Sequence, residues 1–143
     1  MAVTMSLYDH TRWLFTKQGS VTLTALKVKL LDSTASFTSS HTAVTQVDGA
    51  GAKEVSGNGW PAGGVAMTTV AVNQSGANAM LQADNVDVTA SGGSIGPAFA
   101  ALLYDATSLK PLLYIDFGQS QSAGATTDFK IVWDAVNGII KFA

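Results

Sequence analysis

No cysteine occurs anywhere in the chain. Disulfides and thiolate metal sites are therefore excluded, and redox chemistry says nothing about the compartment. Charge is scarce as well. Only 13% of the residues are charged, against roughly 25% in an average soluble protein. The 8 basic and 10 acidic residues give a net charge of -2 and form no basic cluster, so the electrostatic footprint of a nucleic-acid binder is missing. No stretch approaches the ~18 to 20 apolar residues that span a bilayer. Residues 1–15 carry neither the early basic segment nor the apolar run of a secretory signal. The two histidines, His10 and His41, belong to no H-x-x-x-H, H-x-H or E-x-x-H pattern, so no ligand set for a metal stands out. No cofactor is expected.

What remains is 143 residues, 47% of them apolar, a length that argues for one domain with a real core. With few charges available, the surface must be built from Ser, Thr, Asn, Gln, Gly and Ala. Such a surface holds its water weakly and is easily covered by another protein. A free-standing β domain with a neutral surface would have the same composition, and both readings stay open.

The N-terminus reads as one short helix. Ser6 and Asp9 form a capping pair, Leu7, Thr11, Leu14 and Phe15 share a face, and Gly19 after Lys17 and Gln18 suits a left-handed C-terminal cap. From Val21 the period changes to two. Leu26, Val28 and Leu30 alternate with Lys27 and Lys29, which predicts a half-buried strand with a wet face. Residues 32–53 are rich in Ser, Thr, Gly and Ala and read as a long loop with a helical turn near His41 to Val47. Glu54 to Gly64 packs four glycines and a proline around Trp60, so the backbone must fold sharply about that ring. Alternation resumes through Val65, Met67, Thr69 and Ala71. A turn at Gly76-Ala77-Asn78 leads into a strand through Leu81 and Ala83, and Val86 and Val88 alternate with Asp87 and Thr89. After a break at Gly92-Gly93 come apolar runs at Phe99–Tyr104 and Leu112–Phe117. Phe129, Ile131 and Trp133 alternate, and Asn137-Gly138 predicts a type I′ hairpin into Ile139–Phe142. About eight strands at roughly 8 to 12 residue spacing imply a sandwich or barrel.

Catalytic patterns are hard to find. Asp84 and Asp87 flank Asn85 and Val86, and Asp105 and Asp116 stand at strand ends; where strands turn, an aspartate ordinarily bonds local backbone N–H groups. There is no G-x-S-x-G elbow, and Gly57-Asn58-Gly59 and Gly92-Gly93 lack the lysine and helix of a phosphate loop. Trp13, Trp60 and Trp133 could form a sugar platform, but their phases fit core or interface anchors better.

The segment Glu54-Val55-Ser56-Gly57-Asn58-Gly59-Trp60-Pro61-Ala62-Gly63-Gly64 resembles a family of small virion proteins of tailed bacteriophages, whose usual form is close to E-V-x-G-x-G-Y-x-x-G-G followed by a strand. Leu7-Tyr8-Asp9, Ala83-Asp84-Asn85-Val86, Leu103-Tyr104-Asp105 and Tyr114-Ile115-Asp116-Phe117-Gly118 fall in the family's order, so the likeness spans nearly the whole chain. Trp60 stands where a tyrosine is customary. The resemblance implies a structural virion protein without enzymatic activity, of the capsid decoration or cement kind, often jelly-roll-like.

The expectation is thus a mainly β, single-domain β-sandwich, jelly-roll-like, with a short N-terminal helix. Residues 1–19 form the helical segment, and residues 20–143 the sandwich with its long loop at 32–53. By the resemblance, the chain sits on the capsid surface of a virion and binds the phage major capsid protein and further copies of itself, as dimer or trimer. It binds neither nucleic acid nor membrane and has no catalytic residues. Tyr8, Trp13, Phe15, Phe37, Trp60 and Pro61 are the interface candidates. A tail or baseplate adaptor and a carbohydrate-binding module on a phage fibre are the rival readings.

Overall fold

The computed structural model describes residues 3–17 and 20–142. The strands are β1 (Thr4–Leu7), β2 (Leu26–Leu31), β3 (Glu54–Val55), β4 (Val65–Ala66), β5 (Ala71–Ser75), β6 (Asn78–Gln82), β7 (Val86–Thr89), β8 (Ile95–Asp105), β9 (Lys110–Ala123), β10 (Asp128–Ile131) and β11 (Ile140–Phe142). Two short helices, α1 (Thr11–Thr16) and α2 (Val44–Asp48), lie between them. The fold is mainly β and sandwich-like. A large antiparallel sheet runs β1-β9-β8-β2, with β3 and β4 sharing the far edge of β2. A two-stranded sheet, β10-β7, and a three-stranded sheet, β11-β6-β5, make the second layer.

The two apolar runs of the last third pair as the β8–β9 hairpin at the centre of the large sheet. Asp105 closes its turn. One carboxylate oxygen accepts the N–H groups of Thr107 and Ser108, and the other accepts that of Thr22. Strand parity then sorts the side chains. Leu26, Val28, Leu30, Leu103, Leu113 and Ile115 face the second layer and pack against Leu81, Val86, Phe129 and Ile140. Leu31, Ala100, Leu102, Tyr104 and Tyr114 face the other way and are covered by Tyr8, Val44 and Val47, with Phe37 packed alongside.

That second cover corrects one expectation. Lys29 does not face water. The loop at 32–53 folds back over this face, seated by α2, so Lys29 is buried and bonds Asp48 at 2.6 Å. The helix expected near His41 to Val47 is α2 itself. It lacks a side-chain acceptor at its cap, Ala43, and Gln46 Oε1 reaches back to the N–H groups of Thr42 and Ala43 instead. Gly49 ends it at φ +61°, in the left-handed region that glycine tolerates.

The N-terminus departs from the expected single helix. Residues 4–7 are a strand paired with β9, Met5 opposite Ile115 and Ser6 opposite Tyr114, and the helix is only Thr11–Thr16. Ser6 and Asp9 do not cap it; Asp9 accepts a hydrogen bond from Ser39. The reason is period. Val3, Met5 and Leu7 alternate with Thr4 and Ser6, so a strand puts all three on one face, where β9 can pair with it. Thr11 is buried because its hydroxyl donates to the Leu112 carbonyl at 2.6 Å. The cap expected at Gly19 lies outside the described residues.

Two further strands differ. The alternation from Val65 to Ala71 is split, with β4 joining the large sheet and β5 the small one. The Asn137-Gly138 hairpin does not form between the last two strands, because β10 pairs with β7 and β11 with β6. Asp134 turns the chain between sheets by accepting the Asn137 N–H, the Asn137 side-chain amide and the Val136 N–H, and these bonds hold its carboxyl below the usual range. Gly76-Ala77 joins β5 to β6 as a two-residue turn, as expected.

Tyr8 lies in the second core against Phe37, ring centroids 4.9 Å apart, and its buried hydroxyl has no hydrogen-bond partner among the described residues. Burial first, and then the neighbouring Tyr114 phenol, pushes Tyr8 far above the ordinary tyrosine range. Its neutral form stabilises the fold below about pH 10, the unfolded value, and that contribution is lost as pH rises above it. Tyr8→Phe removes a hydroxyl that folding strips of water without replacing its bonds. Urea titrations are expected to show it more stable by about 1 kcal/mol at neutral pH and less sensitive to alkali.

Candidate interaction surface

The glycine-rich segment at 54–64 forms a clasp. Glu54 pairs with Leu31 at the edge of the large sheet, and its Oε1 accepts the Gly63 N–H at 2.5 Å. The Tyr104 hydroxyl donates to the Gly63 carbonyl. Inside the loop, Gly57 and Trp60 exchange two backbone bonds, at 2.8 and 3.1 Å. Gly64 must be glycine, since a Cβ there would meet the Val28 carbonyl oxygen at 2.3 Å. The clasp drives Trp60 inward until it is 1% exposed, edge-on to Phe129 at 5.5 Å between centroids. Trp60 is therefore a core anchor, not a surface one.

The other interface candidates scatter. Tyr8 is buried. Phe37 is half-buried between Tyr8 and Tyr114 and pins the long loop to the sheet. Phe15 is half-buried against Phe142, centroids 5.4 Å apart. Trp13, 56% exposed, stands on α1 with the Lys17 ammonium 4.7 Å from its ring centroid. Pro61, next to Trp60 in the clasp, is exposed. Trp13, Phe15, Phe37 and Pro61 thus sit on three separate elements, and the structure gathers them into no common patch.

A different surface stands out. β1 is the edge strand of the large sheet, paired on one side only among the described residues. The β7–β10 ribbon of the second layer covers β9 but stops short of β1. Between them runs a groove of about 440 Å³, with Val3, Met5, Ile115 and Phe117 on one side and Ile131 and Val132 on the other. Met5 is 47% exposed. No residue from Val3 to Leu7 carries a charge. Lys130, on the rim, lies 3.6 Å from Asp87 and 3.8 Å from Asp128. The period-two run Val3-Thr4-Met5-Ser6-Leu7 was the signal for this surface, masked by the helical pattern that follows it.

The carboxylates singled out for possible acid–base work hold local structure. Asp84 accepts the hydroxyls of Thr68 and Thr69, Asp87 pairs with Lys130, and Asp116 accepts the Gly118 N–H. His10 Nε2 lies 2.6 Å from the Pro111 carbonyl. No group of three His, Cys, Asp or Glu suited to a metal occurs among the described residues, and no helix there is long and apolar enough to cross a membrane. No protein-family model, no curated protein and no solved structure matches the chain.

Substitution should separate packing from surface. Trp60→Ala is expected to cost about 3–5 kcal/mol in chemical denaturation, as for a large aromatic removed from a core. Met5→Ser on the groove wall should stay within about 0.5 kcal/mol of the parent.

Proposed function

We propose that this chain is a non-enzymatic virion structural protein of a tailed bacteriophage, a capsid decoration protein that binds across neighbouring major capsid subunits and stabilises the mature shell. The observation that carries the reading is the uncharged edge strand β1 with its open apolar face. Such an edge can accept a strand from a partner, backbone bonds giving affinity and the groove taking alternate side chains. Pairing with β1 itself strips no hydrated ion of its water, because the strand carries no charge; Asp128 and Lys130 stand across the groove from it. The motif at residues 54–64 supports the same reading through its likeness to small phage virion proteins.

Stabilisation would follow by linkage. A protein that binds only the expanded shell favours that state by mass action, and many copies multiply a modest contact. Contacts between copies about a local two-fold or three-fold axis would add to it. A tail or baseplate adaptor could use the same edge, and copy number separates the two. The carbohydrate-binding reading is weaker, because Trp60 and Trp133 are buried and no exposed row of aromatics forms among the described residues.

Cryo-electron microscopy of intact particles is expected to place the chain on the outer shell, in numbers comparable with the capsid protein. Density confined to the tail, or a handful of copies per particle, would remove the decoration reading. Met5→Asp should lower shell occupancy by roughly tenfold or more, about 1.4 kcal/mol, while leaving the melting temperature unchanged.

A further inference from the structure

We propose that Lys29 and Asp48 condense into an intramolecular isopeptide bond, with Glu54 carrying the proton. The three side chains meet under the long loop. Lys29 Nζ lies 2.6 Å from Asp48 Oδ2 and 3.7 Å from Glu54 Oε2, and their side chains are 7%, 5% and 13% exposed. The Tyr104 ring centroid stands 5.0 Å from the same nitrogen. Leu31, Val47 and Leu102 belong to the surrounding core.

An ion pair for stability alone does not require this arrangement. Two carboxylates share one ammonium out of water, and buried pairs of this kind often stabilise no better than apolar side chains of the same volume. What the arrangement does supply is a positioned nucleophile, an acceptor and a proton carrier. The carboxyl carbon, one bond from an oxygen 2.6 Å from Nζ, falls near the ~3–3.5 Å range of a near-attack geometry. Both ends are fixed. Lys29 sits mid-strand opposite Leu102. Asp48 ends α2, and its Oδ1 accepts the Gly51 N–H at 3.2 Å. That N–H is placed to stabilise negative charge developing on Oδ1.

The step balances without any co-reactant. One ammonium proton passes along the short hydrogen bond to Asp48 Oδ2, leaving a neutral amine and a neutral carboxyl. The amine lone pair attacks Asp48 Cγ and forms the C–N bond. Glu54 takes a second proton from the nitrogen and returns it to Oδ2. The Cγ–Oδ2 bond breaks, and Oδ2 departs as water with both protons. An amide with one N–H remains, and Glu54 is a carboxylate again. Exclusion of water from the site protects the product from hydrolysis. The bond would tie the centre of the large sheet covalently to the loop that covers it.

Intact-mass spectrometry of the purified full chain, held folded at neutral pH, tests this. The expected mass is lower than that of the sequence by one water. Asp48 precedes Gly49, and a succinimide there would weigh the same, so a protease digest decides. The isopeptide joins the Lys29 peptide to the Asp48 peptide and survives hydroxylamine, whereas a succinimide joins nothing and opens. A full sequence mass, or a water loss without a joined peptide, overturns the proposal. Glu54→Gln keeps an acceptor for Gly63 and should slow cross-linking by roughly 10²-fold or more, with circular dichroism reporting the fold. Cross-linking at the parent rate would remove Glu54 from the step.

Discussion

An ammonium placed in the middle of a packed sheet must be met by something anionic, and most of this architecture can be read as the answer to that demand. Lys29 sits on β2, between β8 and the short edge strands. Its partners come from two directions, Asp48 at the end of α2 and Glu54 at the start of the clasp. To deliver Asp48, the loop at 32–53 has to lie across the sheet, and that brings Val44, Val47 and Phe37 onto Leu31, Leu102 and Tyr114. To deliver Glu54, the next segment must return along β2, and that sets the clasp which drives Trp60 into the opposite core. One buried charge thus links the two faces of the large sheet. Removing the ammonium alone would strand two carboxylates out of water, a far larger penalty than the worth of the pair itself.

The same cluster marks where reading the sequence stops being enough. Alternation identified β2, but period two cannot say whether the polar side meets water or a distant segment. The glycine content around Trp60 announced a sharp fold, yet a ring gripped by glycines can turn inward or outward with equal local ease. The N-terminal strand was hidden because Leu7, Thr11 and Leu14 match a helix as well as Val3, Met5 and Leu7 match a strand; only the free hydrogen-bonding edge of β9 decides. Asn137-Gly138 is a strong local signal overridden by the two small sheets, which draw β10 and β11 apart. By contrast β6, β7, β8 and β9, whose apolar runs are bounded by glycine or aspartate, were legible as strands from their residues alone. So was the helical turn within the long loop.

What the candidate surface shares with the main core is a predominance of apolar side chains. The large sheet is closed on one face by the loop and on the other by the small sheets, except beneath β1, where the second layer ends one strand early. Aromatic side chains, the first place to look for contacts, are mostly consumed in building the domain. The groove keeps three aromatic rings, Phe117, Phe129 and Trp133, among aliphatic residues and Met5, whose flexible side chain adapts readily to an irregular partner.

The pairing of Met5 with Ile115 also has a temporal meaning. β1 leads the described chain, but the strand it needs comes near the end, after every other member of the large sheet. Closing so long a loop is slow and postpones much of the sheet's completion. Until β9 is synthesised the leading strand has no native neighbour, so it is the last rib to be fastened and, by the same token, the natural one to come loose first.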